Sequence, residues 1–241
     1  MIKAFIIHLS RSKDRQQQVD LLSQTLPVPT DIVDAVDARN LTDEDIRRVY
    51  KPGIHAPRYP FALNIREVAC FLSHRKAWQA IIDQNLTAGL VLEDDVALTP
   101  DFAAAYSAAA EFFRPGDFIR FPFRSHHEQG PEVFAAHNAR ILEAKPVGLG
   151  MVMQLVSHDA AKRLLAVTQT FDRPVDTMVQ MNWVTGLSPL AVVPGGVREV
   201  SSQLGGSTIQ QKKPLLEKLK REILRPIYRM RVASYSRRKG S

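Results

Sequence analysis

Glu93, Asp94 and Asp95 stand in a row between the apolar run Leu90-Val91-Leu92 and Val96. Three carboxylates within one turn of backbone repel one another, so a fold relieves them with a divalent cation, with basic partners or with full solvation. A cation held by carboxylates beside a phosphorylated ligand is the chemistry this triplet can do. A solvated loop after a strand is the other reading. His126 and His127 are a second candidate for a metal, but adjacent histidines point in different directions and no i, i+4 pairing occurs there. Gly148 and Gly150 lack side chains, which would admit either a ligand or a neighbouring strand close to the backbone.

The elements that must position these groups follow a β, α, β order. Lys3 to Leu9 reads as a strand buried on both faces, Arg11 to Thr25 as a helix with Val19, Leu21, Leu22 and Leu26 on its apolar side, and Asp31 to Val36 as a second strand. Together they predict a right-handed parallel unit and an α/β fold. Residues 51–63 form a Pro-broken loop, and Asn64 with Glu67 has the spacing of a capping box. A helix therefore begins there, carries Ser73 and Lys76 away from the centre of its buried stripe, and stops near Asn85. The next strand, Gly89 to Leu92, delivers the acidic triplet at its carboxyl end, where open α/β sheets bind ligands.

Thr99-Pro100-Asp101 predicts a helix start and Phe102 to Phe113 the helix, followed by a strand over Asp117 to Phe121. Residues 124–140 read as a long loop and Val147 to Val156 as a strand. Ser157 caps a helix through Leu165. Pro174-Val175-Asp176 opens another that runs past Met178 and Met181 to Trp183, and Leu190 to Val193 is a last core strand before a small-residue loop, Ser201 to Thr208.

The 241 residues, 45% hydrophobic and 24% charged, suit an ordinary globular chain. Cys70 is the only cysteine, which excludes an intramolecular disulfide and any multi-thiolate zinc cluster and fits a reducing compartment. The N-terminal apolar run is too short for a signal peptide, and no 18-residue apolar segment occurs. The net charge of +7 is concentrated at one end: eleven Lys and Arg face two Glu over residues 211–241, leaving residues 1–210 slightly negative. This division predicts a near-neutral body over 1–210 and a basic amphipathic tail over 211–241. In the tail Leu215, Leu216, Leu219, Ile223 and Ile227 share one face, with a kink or restart at Pro226. Anionic lipid, the chain's own domain and nucleic acid are the surfaces such a helix can meet, and lipid is the expected one.

Four stretches in register carry a resemblance. They are Phe5-Ile6-Ile7-His8-Leu9-Ser10-Arg11 with Asp14-Arg15; Ala35-Val36-Asp37-Ala38; Arg66 to His74 with Trp78; and Leu90 to Val96. With Pro174-Val175-Asp176 and Gly205-Gly206-Ser207-Thr208, the chain before the tail resembles glycosyltransferase family 25, the lipooligosaccharide galactosyltransferases and their collagen-modifying relatives. The resemblance implies a GT-A-like, Rossmann-type fold, a UDP-sugar donor (usually UDP-galactose), and inverting transfer of a hexose to a surface-glycan acceptor. It also implies Mn²⁺ or Mg²⁺ on Asp95, with Glu93 or Asp94 reaching the metal or the donor ribose. By the same likeness His8, Leu9, Arg11, Arg15 and Asp37 lie near the nucleotide, Ser73, His74 and Lys76 lie on the donor side, and Asp176 is the general base. For each of these residues an ordinary structural role competes: helix-face solvation for Arg11 and Arg15, turn formation for Asp37, and helix capping for Asp176.

Two departures, His8 in place of a common Asn and the lack of a tyrosine near Gly148-Leu149-Gly150-Met151, bear on donor identity. UDP-glucose or an N-acetylhexosamine donor is the alternative. A metal-dependent phosphatase is disfavoured, because Asp95-Val96-Ala97 has no second acid two residues on. A non-catalytic membrane-docked or nucleic-acid-binding module is the competing class. The implied location is the cytoplasmic face of a bacterial inner membrane, with the tail on anionic lipid.

Overall fold

Along the first strand successive side chains enter two different buried clusters: Ala4 and Ile6 join one, Phe5 and Ile7 the other. The period-2 geometry of a strand buried on both faces requires this, and it makes the molecule three-layered. The computed structural model describes residues 1–202 and 215–239. In chain order the elements are β1 (Ile2–His8), α1 (Gln16–Thr25), β2 (Thr30–Asp34), α2 (Asp43–Val49), α3 (Ile65–Asp83), β3 (Ala88–Glu93), β4 (Val96–Leu98), α4 (Phe102–Phe112) and β5 (Phe118–Arg120). They continue with β6 (Glu132–Ala136), β7 (Ala139–Leu142), β8 (Met153–Ser157), α5 (His158–Val167), α6 (Val175–Val179), α7 (Asn182–Thr185), β9 (Leu190–Val193), β10 (Val197–Glu199) and α8 (Leu215–Lys239).

An eight-stranded sheet runs in the order β2, β1, β3, β8, β5, β9, β7, β6. Strands β7 and β8 oppose the direction of the other six. One face packs α1 and α4 through Val19, Leu22, Phe102 and Ala105. The other packs α3, α5 and α6 through Phe71, Trp78, Ile81, Leu164 and Met178. Each fully buried large side chain such as Phe71 or Ile81 contributes about 1.5–3 kcal/mol. β1, β2 and β3 are mutually parallel, so their carboxyl ends open on one edge, as the β, α, β reading requires.

The capping box of α3 is present: the Asn64 side chain accepts from Arg66 and Glu67, and the Glu67 carboxylate accepts from the Asn64 N–H. Four expectations need correction. The helix expected from Arg11 begins at Gln16, after a single tighter turn over Lys13–Arg15. Residues 124–140 are not one loop, because β6 and β7 form a hairpin there. Its turn places His137 and Asn138 at φ 55° and 62°, left-handed conformations that Asn tolerates better than most residues. The strand expected from Val147 begins only at Met153, since Gly150 takes φ 94° and the Leu149 and Gly150 carbonyls accept from Arg120 Nη2 instead of a neighbouring strand. The helix expected from Pro174 to Trp183 is broken between Val179 and Asn182. α2 was not foreseen, and Thr42 with Asp45 forms its capping box. Gly205-Gly206-Ser207-Thr208 lies outside the described residues.

α8 is one helix with Pro226 inside it. Its docked face is Tyr228, Val232 and Ser236, spaced four apart and buried. Of the stripe expected to be apolar, Ile223 is 57% exposed and Ile227 38% exposed.

Candidate active site

The carboxyl ends of β1, β2 and β3 open into a cleft of about 830 Å³. Its far wall is built by residues 149–152, by the start of α6 and by α8. β3 brings the acidic triplet to the floor, and the three side chains separate. Asp94 turns inward and is buried. His8 Nδ1 lies 2.8 Å from its Oδ2, and Arg15 Nη1 donates to its Oδ1. Asp94 therefore aligns β1 and the turn before α1, and its oxygens are committed.

Asp95 faces the cleft. Its Oδ1 is buried with no hydrogen-bond partner, while Oδ2 accepts a long bond from Arg15 (3.3 Å). Burial first, then the charge of Glu93, pushes the Asp95 carboxyl up to about 7, against the pull of Arg15. Burial likewise raises Glu93 to about 8, helped by Asp94, Asp176 and Glu199. An orphaned oxygen among mutually repelling carboxylates is the condition a divalent cation relieves, and an all-oxygen donor set suits Mg²⁺ or Mn²⁺. The residues present thus fit the metal. Glu93 also adjoins a softer set: ligand atoms of Cys70, His74 and Glu93 all lie within 4.8 Å of one another, the one such grouping among the described residues. Burial lowers His74 to about 4, so the ring is neutral at pH 7, with Nε2 3.2 Å from Glu93 Oε1.

Asp176 lies in the first turn of α6 on the opposite wall. Gly150 N–H donates to its Oδ2 (3.1 Å), and Thr177 N–H donates to its Oδ1 (2.7 Å), so the carboxylate is held facing the cleft. Gly150 has φ +94°, which explains a glycine at this bend. Gly148 admits neither ligand nor strand. The Glu128 carboxylate fills the space a Cβ would take there, and is itself paired with Arg120 (2.9 Å).

Of the residues singled out from sequence, Leu9, Arg11, Arg15, Ser73, His74, Glu93, Asp94, Asp95 and Asp176 line the one cleft. His8, Asp37 and Lys76 stand outside its wall. His8 backs Asp94. Asp37 accepts from Arg11 (2.7 Å) and Arg39 (2.8 Å), and Lys76 Nζ donates to the Asp34 carbonyl. His126 and His127 are exposed and line no part of it. Glu199, Tyr59, Arg225 and Arg229 complete the wall without having been foreseen. Glu199 arrives through the antiparallel pair β4 and β10, too short to carry a sequence signal.

A cleft of carboxylates and guanidiniums at the strand ends of an open sheet is where α/β enzymes bind phosphorylated ligands. The chain belongs to glycosyltransferase family 25: the family described as "Glycosyltransferase family 25 (LPS biosynthesis protein)" matches residues 1–179. It is a glycosyltransferase-type chain whose curated relatives include procollagen galactosyltransferase 2 of Homo sapiens, 34% identical over 101 residues, 41% of this chain and 16% of that protein. A glycosyltransferase 25 family member of Drosophila pseudoobscura pseudoobscura is 30% identical over 103 residues, 42% of this chain and 16% of the relative. The inactive glycosyltransferase 25 family member 3 of Homo sapiens is 33% identical over 103 residues, 42% and 17%. The chain spans about a sixth of the length of these relatives. Among solved structures, mannose-1-phosphate geranyltransferase from Thermus thermophilus is similar at TM-score 0.35 and 12% identity, covering 79% of this chain and 73% of that one.

Proposed function

We propose that the protein is an inverting, GT-A-like hexosyltransferase that moves a hexose, galactose from UDP-galactose first, onto a lipooligosaccharide or other surface-glycan acceptor. The observation that carries this reading is the buried, unpartnered Asp95 Oδ1 beside Glu93, in one cleft with the oriented carboxylate of Asp176. Asp95 and Glu93 would hold Mn²⁺ or Mg²⁺, which supplies charge neutralisation for the departing diphosphate. Asp94 holds Arg15 and His8 in place behind them. Leu9, Arg11 and Arg15 form the nucleotide end, with Asp37 fixing the Arg11 guanidinium.

Asp176 accepts the proton of the acceptor hydroxyl as that oxygen bonds to the anomeric carbon and the diphosphate leaves from the opposite side. Its bonds from Gly150 and Thr177 keep the carboxylate aimed and leave lone pairs for that proton. Asp176→Asn should therefore lower the rate of transfer by about 10²- to 10⁴-fold while UDP affinity holds. Equal loss of UDP affinity would move Asp176 from base to donor contact.

The exposed face of α8, with Ile223, Ile227 and Met230 among arginines, supports docking on anionic lipid at the inner face of a bacterial inner membrane. Co-sedimentation with anionic but not neutral vesicles is expected, and indifference to both would remove the tail from membrane binding. No helix among the described residues is long and apolar enough to cross a membrane. A different UDP-hexose donor is the nearest alternative. The relatives named inactive favour a second reading, a non-catalytic binding module. Turnover of a UDP-hexose panel with Mn²⁺ or chelator separates them: metal-dependent turnover of one donor sustains the transferase, and no turnover of any donor sustains the module.

A further inference from the structure

The guanidiniums at the nucleotide end of the cleft are each paired with a carboxylate. Arg11 and Arg39 hold Asp37, and Arg15 holds Asp94 and Asp95. Arg225 and Arg229 of α8 also line the cleft, are exposed at its mouth, and make no ion pair among the described residues. Four residues apart on a helix, they stand one above the other on the same face. Between them Tyr228 is buried, and its hydroxyl accepts from Arg173 Nη1 at 2.6 Å. Arg173 precedes Asp176 by three residues, so this bond fixes the α8 arginines on the Asp176 side of the cleft. The Tyr228 ring packs edge-on to Tyr59 at 5.2 Å, which holds the helix against the loop before α3.

We infer that Arg225 and Arg229 form a two-guanidinium site for a phosphate-type oxyanion, and that α8 is a wall of the substrate site as well as its tail. Two guanidiniums present forked donors matched to phosphate oxygens, and unlike those of Arg11, Arg15 and Arg39 their charges are not already balanced by a carboxylate among the described residues. The inference deepens the nucleotide-sugar reading and rests on it. The same chemistry has two sources: the diphosphate of the donor, or a phosphate carried by the acceptor.

The test is calorimetric titration of the full chain and of Arg225→Gln/Arg229→Gln, with Arg225→Lys/Arg229→Lys as partial rescue, using UDP, uridine and inorganic phosphate in the presence of Mn²⁺. Both positions are exposed, so thermal melts of the variants should match that of the parent. If the site takes the donor diphosphate, UDP affinity falls about 10- to 100-fold in the Gln variant, uridine affinity is unchanged, and phosphate does not bind the UDP-saturated protein. If it takes an acceptor phosphate, UDP affinity holds, and inorganic phosphate binds the UDP-saturated parent but not the Gln variant. Unchanged UDP and phosphate binding in the Gln variant would overturn the inference. Parent protein that binds no UDP would defeat the nucleotide-sugar reading instead. In that case loss of inorganic phosphate binding in the Gln variant still supports the arginine site, and its retention overturns it.

Discussion

On the proposed reading, Asp95→Asn is expected to lower metal-dependent sugar transfer by about 10²- to 10³-fold and to lose a rise in thermal stability with Mn²⁺ that the parent is expected to show. The amide keeps the shape but removes the charge beside Glu93. In chelator the same substitution should act the other way on stability. The Asp95 carboxyl sits at about 7 in the folded protein against 3.8 otherwise, so between those values the folded state holds the extra proton. Stability from this group is therefore intact below about pH 4 and declines as pH rises towards 7. Asn does not titrate, so apo Asp95→Asn should melt above the parent at pH 8 and level with it near pH 4. A variant that keeps full metal-dependent turnover would place the cation elsewhere, with the Cys70, His74 and Glu93 grouping as the next candidate.

Arg173→Leu should cost about 3–5 kcal/mol of folding stability, the range for breaking a buried ion pair from one side. Arg173 is fully buried, and its guanidinium donates to both Asp172 oxygens (2.6 and 3.0 Å), to the His55 and Pro57 carbonyls (3.1 and 3.2 Å) and to the Tyr228 hydroxyl (2.6 Å). Removing it strands the Asp172 carboxylate in the interior and releases three segments at once: the Pro-broken loop, the entry to α6 and α8. Asp172→Asn combined with Arg173→Leu should recover part of the loss, because no charge is then left unpaired. Urea denaturation measures both. Trp183, whose ring lies 5.4 Å from that of Tyr235, reports separately on undocking of α8. A loss under about 1 kcal/mol would mean that the pair is not the strut described.

Much of the half built on β1, α3 and β3 was legible because its signals are local. An apolar run ending in carboxylates, a capping box at Asn64 and Glu67, and a β, α, β order each involve neighbours in sequence, and β1, α3 and β3 follow them to within a residue or two. What stayed hidden depends on distant partners. Three consecutive acids look alike until His8 and Arg15 claim Asp94 and leave Asp95 outward. Gly148 reads as a gap for a ligand or a neighbouring strand until Glu128, twenty residues earlier, fills it. The hairpin of β6 and β7 turns on His137 and Asn138 without the glycine that would have marked it. α8 docks through partners far away in sequence, the Tyr228 hydroxyl accepting from Arg173 and the Tyr235 ring packing on Trp183 of α7.

The most direct test of the central claim is calorimetric titration of UDP into the protein with Mn²⁺ and again with chelator. Metal-dependent binding at one site, lost in Asp95→Asn, is the predicted result. UDP binding that is absent, or equally strong without a divalent cation, would contradict it.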